Sequence, residues 1–197
     1  MLDQVFPRYA LPAAPWSPSV IFPQASGVVL EIGSGTGEAT LAMARAQPDI
    51  GIIAVEVHVR GLGSLVRAAH GEGLGNVRVF DGDALVALHD YVPEASLAGV
   101  RVWFPDPWPK NRHHKRRLVQ SANVALMVSR LQPGGMLHVA TDVADYADVI
   151  AEVLAAAPGL VPVLVRGPRP PWRPMTKYEK AGLAAGRPAQ DFCYVRS

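Results

Sequence analysis

From Val28 onward the chain alternates short, almost wholly apolar runs with longer stretches in which apolar residues recur every three or four positions. The runs GVVLEI, GIIAVEV, NVRVFDG, GVRVWF and MLHVAT are rich in β-branched residues and read as five successive strands. Between them EATLAMARAQ, VRGLGSLVRAAHGEG, ALVALHDYV and RRLVQSANVALMVSRL carry helical periodicity, with stops at Pro48, at the glycines after His70 and at PGG. An amphipathic stretch, VADYADVIAEVLAAA, follows the fifth strand, and LVPVLVR and DFCYVR supply two more strands. This alternation predicts an α/β fold, a mostly parallel sheet covered by helices on both faces. Residues 1–197 read as one domain. Within it, residues 1–26 are Pro-rich and expected to be irregular, and residues 166–190 are expected to form a long loop with one helical turn. Loops of that length in compact domains are functional or disordered.

Composition changes this picture little. With 49% hydrophobic and 18% charged residues the chain has the balance of a soluble globular protein. Its uncharged runs are short and broken by Gly or Pro, and its first residues lack a basic stretch followed by an apolar one. The expectation is therefore a cytoplasmic protein with no membrane span. Cys193 stands alone, so it predicts a small buried strand side chain rather than a disulfide. His58, His70, His89 and His138 lack metal-ligand spacing, and no metal is expected. Charge is more informative. Residues 1–100 hold five Lys and Arg against ten Asp and Glu, whereas residues 101–197 hold fourteen against seven. Such an asymmetry suits a cationic small ligand on one side and a polyanionic partner on the other.

The small ligand has a candidate site. In LEIGSGTGEAT, Gly33, Gly35 and Gly37 lie between a buried strand and a helix, where missing Cβ atoms let the backbone turn tightly and approach a ligand over the strand ends. The spacing is G-x-G-x-G, and Glu38 stands where a dinucleotide fingerprint requires glycine. Acids end the first three strands. Glu31 precedes the glycines and adds negative charge for an ammonium or sulfonium. Glu56, about twenty residues on, is placed to accept from ribose hydroxyls, and Asp83 from an adenine amino group. Three carboxylates with no Lys or Arg in the glycine loop disfavour a phosphate-bearing cofactor and favour S-adenosyl-L-methionine.

The polyanion site is WFPDPWPKNRHHKRR, residues 103–117, an acid between two prolines followed by a dense cationic run. LEIGSGTG, VEVH, this segment, ATDVADYA and TKYEK, in this order and spanning nearly the whole chain from residue 28, resemble the bacterial tRNA (guanine-N7)-methyltransferases. The resemblance implies a Rossmann-like class I methyltransferase fold with seven strands and an antiparallel last strand. It also implies tRNA as partner and the variable-loop guanosine at position 46 as methyl acceptor; for assembly, both a monomer and a homodimer stay open.

Guanine N7 has a lone pair and no proton, so its methylation needs alignment more than a general base. A carboxylate gripping the N1–H and N2–H donors of guanine would select the base and stabilise the charge that develops on it. Asp106, restricted by Pro105 and Pro107, is the candidate catalytic residue and lies beside the expected methyl position, bordering the cofactor. Lys110 is placed to contact substrate, and Arg112, His113, His114, Lys115, Arg116 and Arg117 to track phosphates. Trp108 can stack on a base, whereas Trp103 fits the sheet. By resemblance Asp142, Thr176, Lys177, Tyr178 and Glu179 join the substrate site, with Glu179 a second acceptor for the guanine edge. Arg166, Arg169, Arg173 and Lys180 would extend the basic surface. Two rivals stand beside this reading: a methyltransferase of another RNA or a small molecule, and a noncatalytic RNA-binding protein on the same fold.

Overall fold

The computed structural model describes residues 2–197. In chain order its elements are helices α1 (Leu2–Tyr9) and α2 (Pro18–Ile21), strand β1 (Gly27–Ile32), α3 (Glu38–Ala46), β2 (Ile50–Glu56), α4 (Val59–Gly71) and β3 (Val77–Asp81). There follow the short helix α5 (Ala84–Val86), running into a π-turn at Ala87–Tyr91, then β4 (Leu97–Trp103) and a 3₁₀ segment (Asn111–Arg116). The chain closes with α6 (Ser121–Arg130), β5 (Leu131–Thr141), α7 (Ala144–Ala155), β6 (Leu160–Gly167), α8 (Lys177–Ala184) and β7 (Gln190–Arg196). The strands form one sheet in the order β3-β2-β1-β4-β5-β7-β6. β1 to β5 are parallel, and β7 runs antiparallel to both its neighbours. Strand order reverses between β1 and β4, and open α/β sheets bind their ligands at the carboxyl ends of such a switch.

Side chains alternate across a strand, so pairing register sorts the sheet into two unlike faces. One face is apolar: Leu30, Val55, Val102, Val139 and Phe192 pack with Met127 of α6 and Ile150 of α7. The other is apolar only around β2 and β3, where Ile52, Ala54 and Val79 meet Met43 of α3, Leu65 of α4, and Val5 and Tyr9 of α1. Further along that second face the aligned residues are Glu31, Arg101 and His138. Trp103 and Asp191 share the same side by the two-residue period, and all five are buried. A polar row thus runs beneath the carboxyl end of the sheet.

Several boundaries depart from the sequence reading. The segment expected to be irregular holds α1, because burying Val5 and Tyr9 against α4 and β3 outweighs the internal Pro7. Leu11 then donates its amide to the Val79 carbonyl at 2.8 Å, tying the segment to the sheet edge. In the stretch expected to be a loop, β6 extends to Gly167 and α8 makes two turns rather than one. The helix expected from Arg116 starts only at Ser121, after an extended link, and β5 includes the PGG expected to precede it.

The glycine loop is held by contact with α4. A Cβ on Gly61 would sit 2.2 Å from the Gly35 carbonyl oxygen, so the first turn of α4 can approach the loop only through a glycine. Gly61→Ala should therefore destabilise by about 1–3 kcal/mol. At the far end of the same helix a Cβ on Gly71 meets open space, and Gly71→Ala should be neutral or stabilise by up to about 1 kcal/mol. Denaturant midpoints of the two variants test this pairing, and similar shifts for both would refute it.

Candidate active site

All three glycines of the loop adopt left-handed backbone, with φ of 76°, 56° and 82° at Gly33, Gly35 and Gly37. These conformations are costly for any residue with a Cβ. The loop is fastened by Glu56: its Oε2 accepts from the Gly35 amide at 2.8 Å, and its Oε1 from the amides of Val57 and His58 at 2.8 and 3.0 Å. A carboxylate oxygen offers about two lone pairs. Oε1 is therefore filled and Oε2 keeps one, so Glu56 has room for one further donor. Asp83 caps α5, its Oδ1 accepting from Leu85 at 2.7 Å and more weakly from Val86 at 3.4 Å. Glu31 is buried, accepts from Thr40 Oγ1 at 2.7 Å, and has its pKa pushed above the ordinary value by burial, against the pull of Thr40 and Arg101. Near it, in a small hollow that Gly35 and Tyr178 also line, the Ser34 hydroxyl is buried without a partner among the described residues.

A larger cavity of about 520 Å³ opens beside this hollow, with Gly33, Glu56, Asp83, Trp103, Asp106 and Tyr178 in its wall. Asp106 is exposed at its mouth and forms no hydrogen bond or ion pair among the described residues. The backbone around it is strained: Phe104 and Trp108 both have positive φ, 56° and 43°. What holds this loop is Arg117. Its Nε donates to the Pro107 carbonyl at 2.8 Å, its terminal nitrogen meets Asp145 at 2.5 Å, and its guanidinium lies 4.7 Å from the Tyr146 ring centroid. Arg117 is only 3% exposed and turned under the acid loop, whereas the basic run suggested a residue facing phosphates. Lys110, Arg112, Lys115 and Arg116 are exposed, and Arg116 lies 5.0 Å from the Trp108 ring. His113 packs edge-on to Trp108, and His114 is half-buried with its Nε2 unpaired among the described residues.

The opposite wall is the start of α8. Thr176 caps it, its hydroxyl accepting from the Glu179 amide at 3.2 Å, which explains T-x-x-E as a helix start. Tyr178, 52% exposed, lines both hollows and stacks near Phe104 at 6.3 Å, with the exposed Lys177 ammonium 5.1 Å from its ring centroid. Three expectations need correction here. Glu179 is buried, pairs with Arg173 at 2.8 Å and with Arg169 at 3.1 Å, and lies outside the walls of both hollows, away from where a guanine edge was expected to meet it. Asp142 pairs with Arg187 at 2.9 Å and packs against Gly182, outside the walls of both hollows. Arg173 is fully buried and adds nothing to a basic surface; Arg166 is drawn to Asp148.

The floor carries residues the sequence reading did not pair. The Trp103 indole N–H donates to His138 Nδ1 at 2.9 Å, and His138 Nε2 meets Asp191 Oδ1 at 2.7 Å. An indole nitrogen can only donate, so His138 must accept on Nδ1 and carry its proton on Nε2. A histidine in an apolar strand was the available signal, but Asp191 lies 53 positions away and nothing in the sequence joins them. Cys193, on the same face, is buried as expected, with its thiol pushed up to about 11 by burial.

Solved structures with this architecture include the 16S rRNA methyltransferase KamB, at 16% identity and a TM-score of 0.68 over 91% of this chain and 92% of that one. The [4+2]-cyclase SpnF has a TM-score of 0.60, also at 16% identity, over 91% of this chain and 80% of that one. Their likeness establishes the Rossmann-like methyltransferase fold, and the cyclase shows that the fold alone does not fix a reaction. Sequence is more specific. Residues 25–192 match the family described as putative methyltransferase. A tRNA (guanine-N(7)-)-methyltransferase of Aromatoleum aromaticum is 45% identical over 99% of this chain and 76% of its own length. One of Streptomyces avermitilis is 47% identical over 89% of this chain, which spans 62% of that relative. The chain belongs to the tRNA (guanine-N7)-methyltransferase family.

The floor should respond to pH. His138 faces Asp191, Arg173 and Arg101, and burial, the largest cause, lowers its pKa below the ordinary 6.5. The unfolded chain therefore takes up this proton first, and the stability tied to neutral His138 is full above about pH 6.5 and lost as pH falls through the lower folded value. Gln can replace both bonds without titrating. Unfolding free energies at pH 7.5 and 5.0 should fall more in the parent than in His138→Gln, and equal losses would refute the assignment.

Proposed function

We propose that this chain transfers a methyl group from S-adenosyl-L-methionine to N7 of a guanosine in tRNA, the variable-loop guanosine at position 46. The observation that carries the reading is Asp106: an exposed, unengaged carboxylate held on strained backbone at the mouth of a cavity with the glycine loop on one side and Lys115 and Arg116 on the other.

The residues present fit this cofactor. Glu56 Oε2 keeps one lone pair for a ribose hydroxyl, and Asp83 Oδ2 is free of the capping bonds that occupy Oδ1. Ser34 supplies an unpaired buried hydroxyl beside Glu31, whose carboxyl a cationic amino-acid group would draw back toward ionisation. No cation lies in the glycine loop to favour phosphate. When bound, the cofactor supplies an electrophilic methyl group on a sulfonium.

Asp106 then does the selecting. Its two oxygens can take the N1–H and N2–H of a guanine whose N7 faces the cofactor side of the cavity, and its negative charge opposes the positive charge the ring acquires. No general base is needed, because N7 carries no proton. The strained PDP loop, pinned through Arg117, holds the carboxylate in place before the base arrives. Lys110, Arg112, Lys115 and Arg116 take the phosphates, and Trp108 offers a stacking face beside them.

Labelled methyl transfer to unmodified tRNA transcripts, mapped by cleavage at N7-methylguanosine, tests the reading. Asp106→Ala should lower the rate by about 10²–10³-fold. Label elsewhere in the RNA would redirect the substrate, and no RNA label with cofactor bound would point to a small acceptor. The basic run should divide by burial. Arg116→Gln should reduce the salt slope of RNA binding by about one, whereas Arg117→Gln should leave the slope intact and lower stability instead. A loss of slope in Arg117→Gln would contradict its buried role.

A further inference from the structure

Arg173 is 0% exposed on the link between β6 and α8, yet it uses all three of its nitrogens. Nε and one terminal nitrogen grip Asp191 of β7, at 2.6 and 2.9 Å to its two oxygens. The other terminal nitrogen donates to Glu179 of α8 at 2.8 Å and, more weakly, to the Pro174 carbonyl at 3.3 Å. The guanidinium carbon lies 5.5 Å from the Phe104 ring centroid and 6.0 Å from that of Trp103. Asp191 in turn holds His138, which holds Trp103. One planar cation therefore joins the first turn of α8, the start of β7, the residue that opens the PDP loop and the indole that floors both hollows.

We propose that Arg173 is a positioning residue for methyl transfer: it locks the first turn of α8 against β7, setting Thr176 in the small hollow by the glycine loop and Tyr178 at the rim of the cavity that holds Asp106. It makes no RNA contact. The reaction named here rests on the proposed function, whereas the locking itself does not. Stability alone does not account for the arrangement, because replacing a buried ion cluster with well-packed apolar residues is commonly neutral or stabilising. What apolar packing cannot do is fix direction. A guanidinium bonded in its plane to two carboxylates, one of them through both oxygens, sets the angle between their two elements, and a lysine ammonium has no such fork.

Two measurements on Arg173→Gln test this, and Arg173→Lys carries both if the first variant does not fold. Hydrogen exchange of the amides of residues 176–184 should speed up by about tenfold or more while those of α7 stay unchanged. Unchanged exchange in α8 would overturn the proposal. In methyl transfer to tRNA, kcat should fall by about 10- to 100-fold with KM for tRNA altered less than about threefold and the salt slope of binding preserved. A salt slope lowered by about one, or an unchanged kcat, would overturn it by making Arg173 a phosphate contact or a bystander. If the parent enzyme transfers no methyl group to tRNA, the functional reading fails while the exchange experiment still decides the role of Arg173.

Discussion

The structure turns on a buried cluster of charge that the sheet would not contain without strong internal pairing. Removing Asp191, Glu179 and Arg173 from water costs several kcal/mol per ion, and only short, directed bonds among them return it. The cluster draws a distant C-terminal helix onto the carboxyl end of the sheet, next to the acid loop of β4. The same bonds that offset desolvation also set geometry. Without them the wall formed by Tyr178 would have no fixed relation to Asp106.

The two faces of the sheet divide the labour. One is apolar across its breadth and packs α6 and α7 by shape, which gives rigidity without direction. The other exchanges apolar side chains for Glu31, Arg101, Trp103, His138 and Asp191 beneath the site, where directed bonds orient what lies above them. Acid groups in this molecule have correspondingly different tasks. Glu56 fastens the glycine loop, Asp83 caps a helix and Asp191 anchors a cation, whereas Asp106 is left open at the cavity mouth on strained backbone.

Much of this was legible in the chain. A strand pattern of period two and β-α alternation specify a parallel sheet, and the glycines and acids at successive strand ends then fall on one edge by topology. Less legible was which charges face water. RHHKRR reads as a uniform basic run, yet Arg116 lies over Trp108 while Arg117, one residue on, turns under the loop to Pro107 and Asp145. TKYE reads as a binding motif, yet its Thr and Glu are a cap and an ion-pair partner, and only its middle residues face solvent.

The sequence by itself determined the alternation of strands and helices from Val28 onward, the edge of the sheet where the glycine loop and the strand-end acids gather, and the residue types available there, because these follow from local periodicity and from the polarity of parallel strands. The tertiary structure alone decided the partners. Arg173 pairs with Asp191 18 positions away, and Asp191 with His138 53 positions away, across strands brought together by a fold-wide register. Whether a charge is a contact for a substrate or a strut for the site depends on desolvation and on what lies opposite, and neither quantity exists until the chain has closed around it.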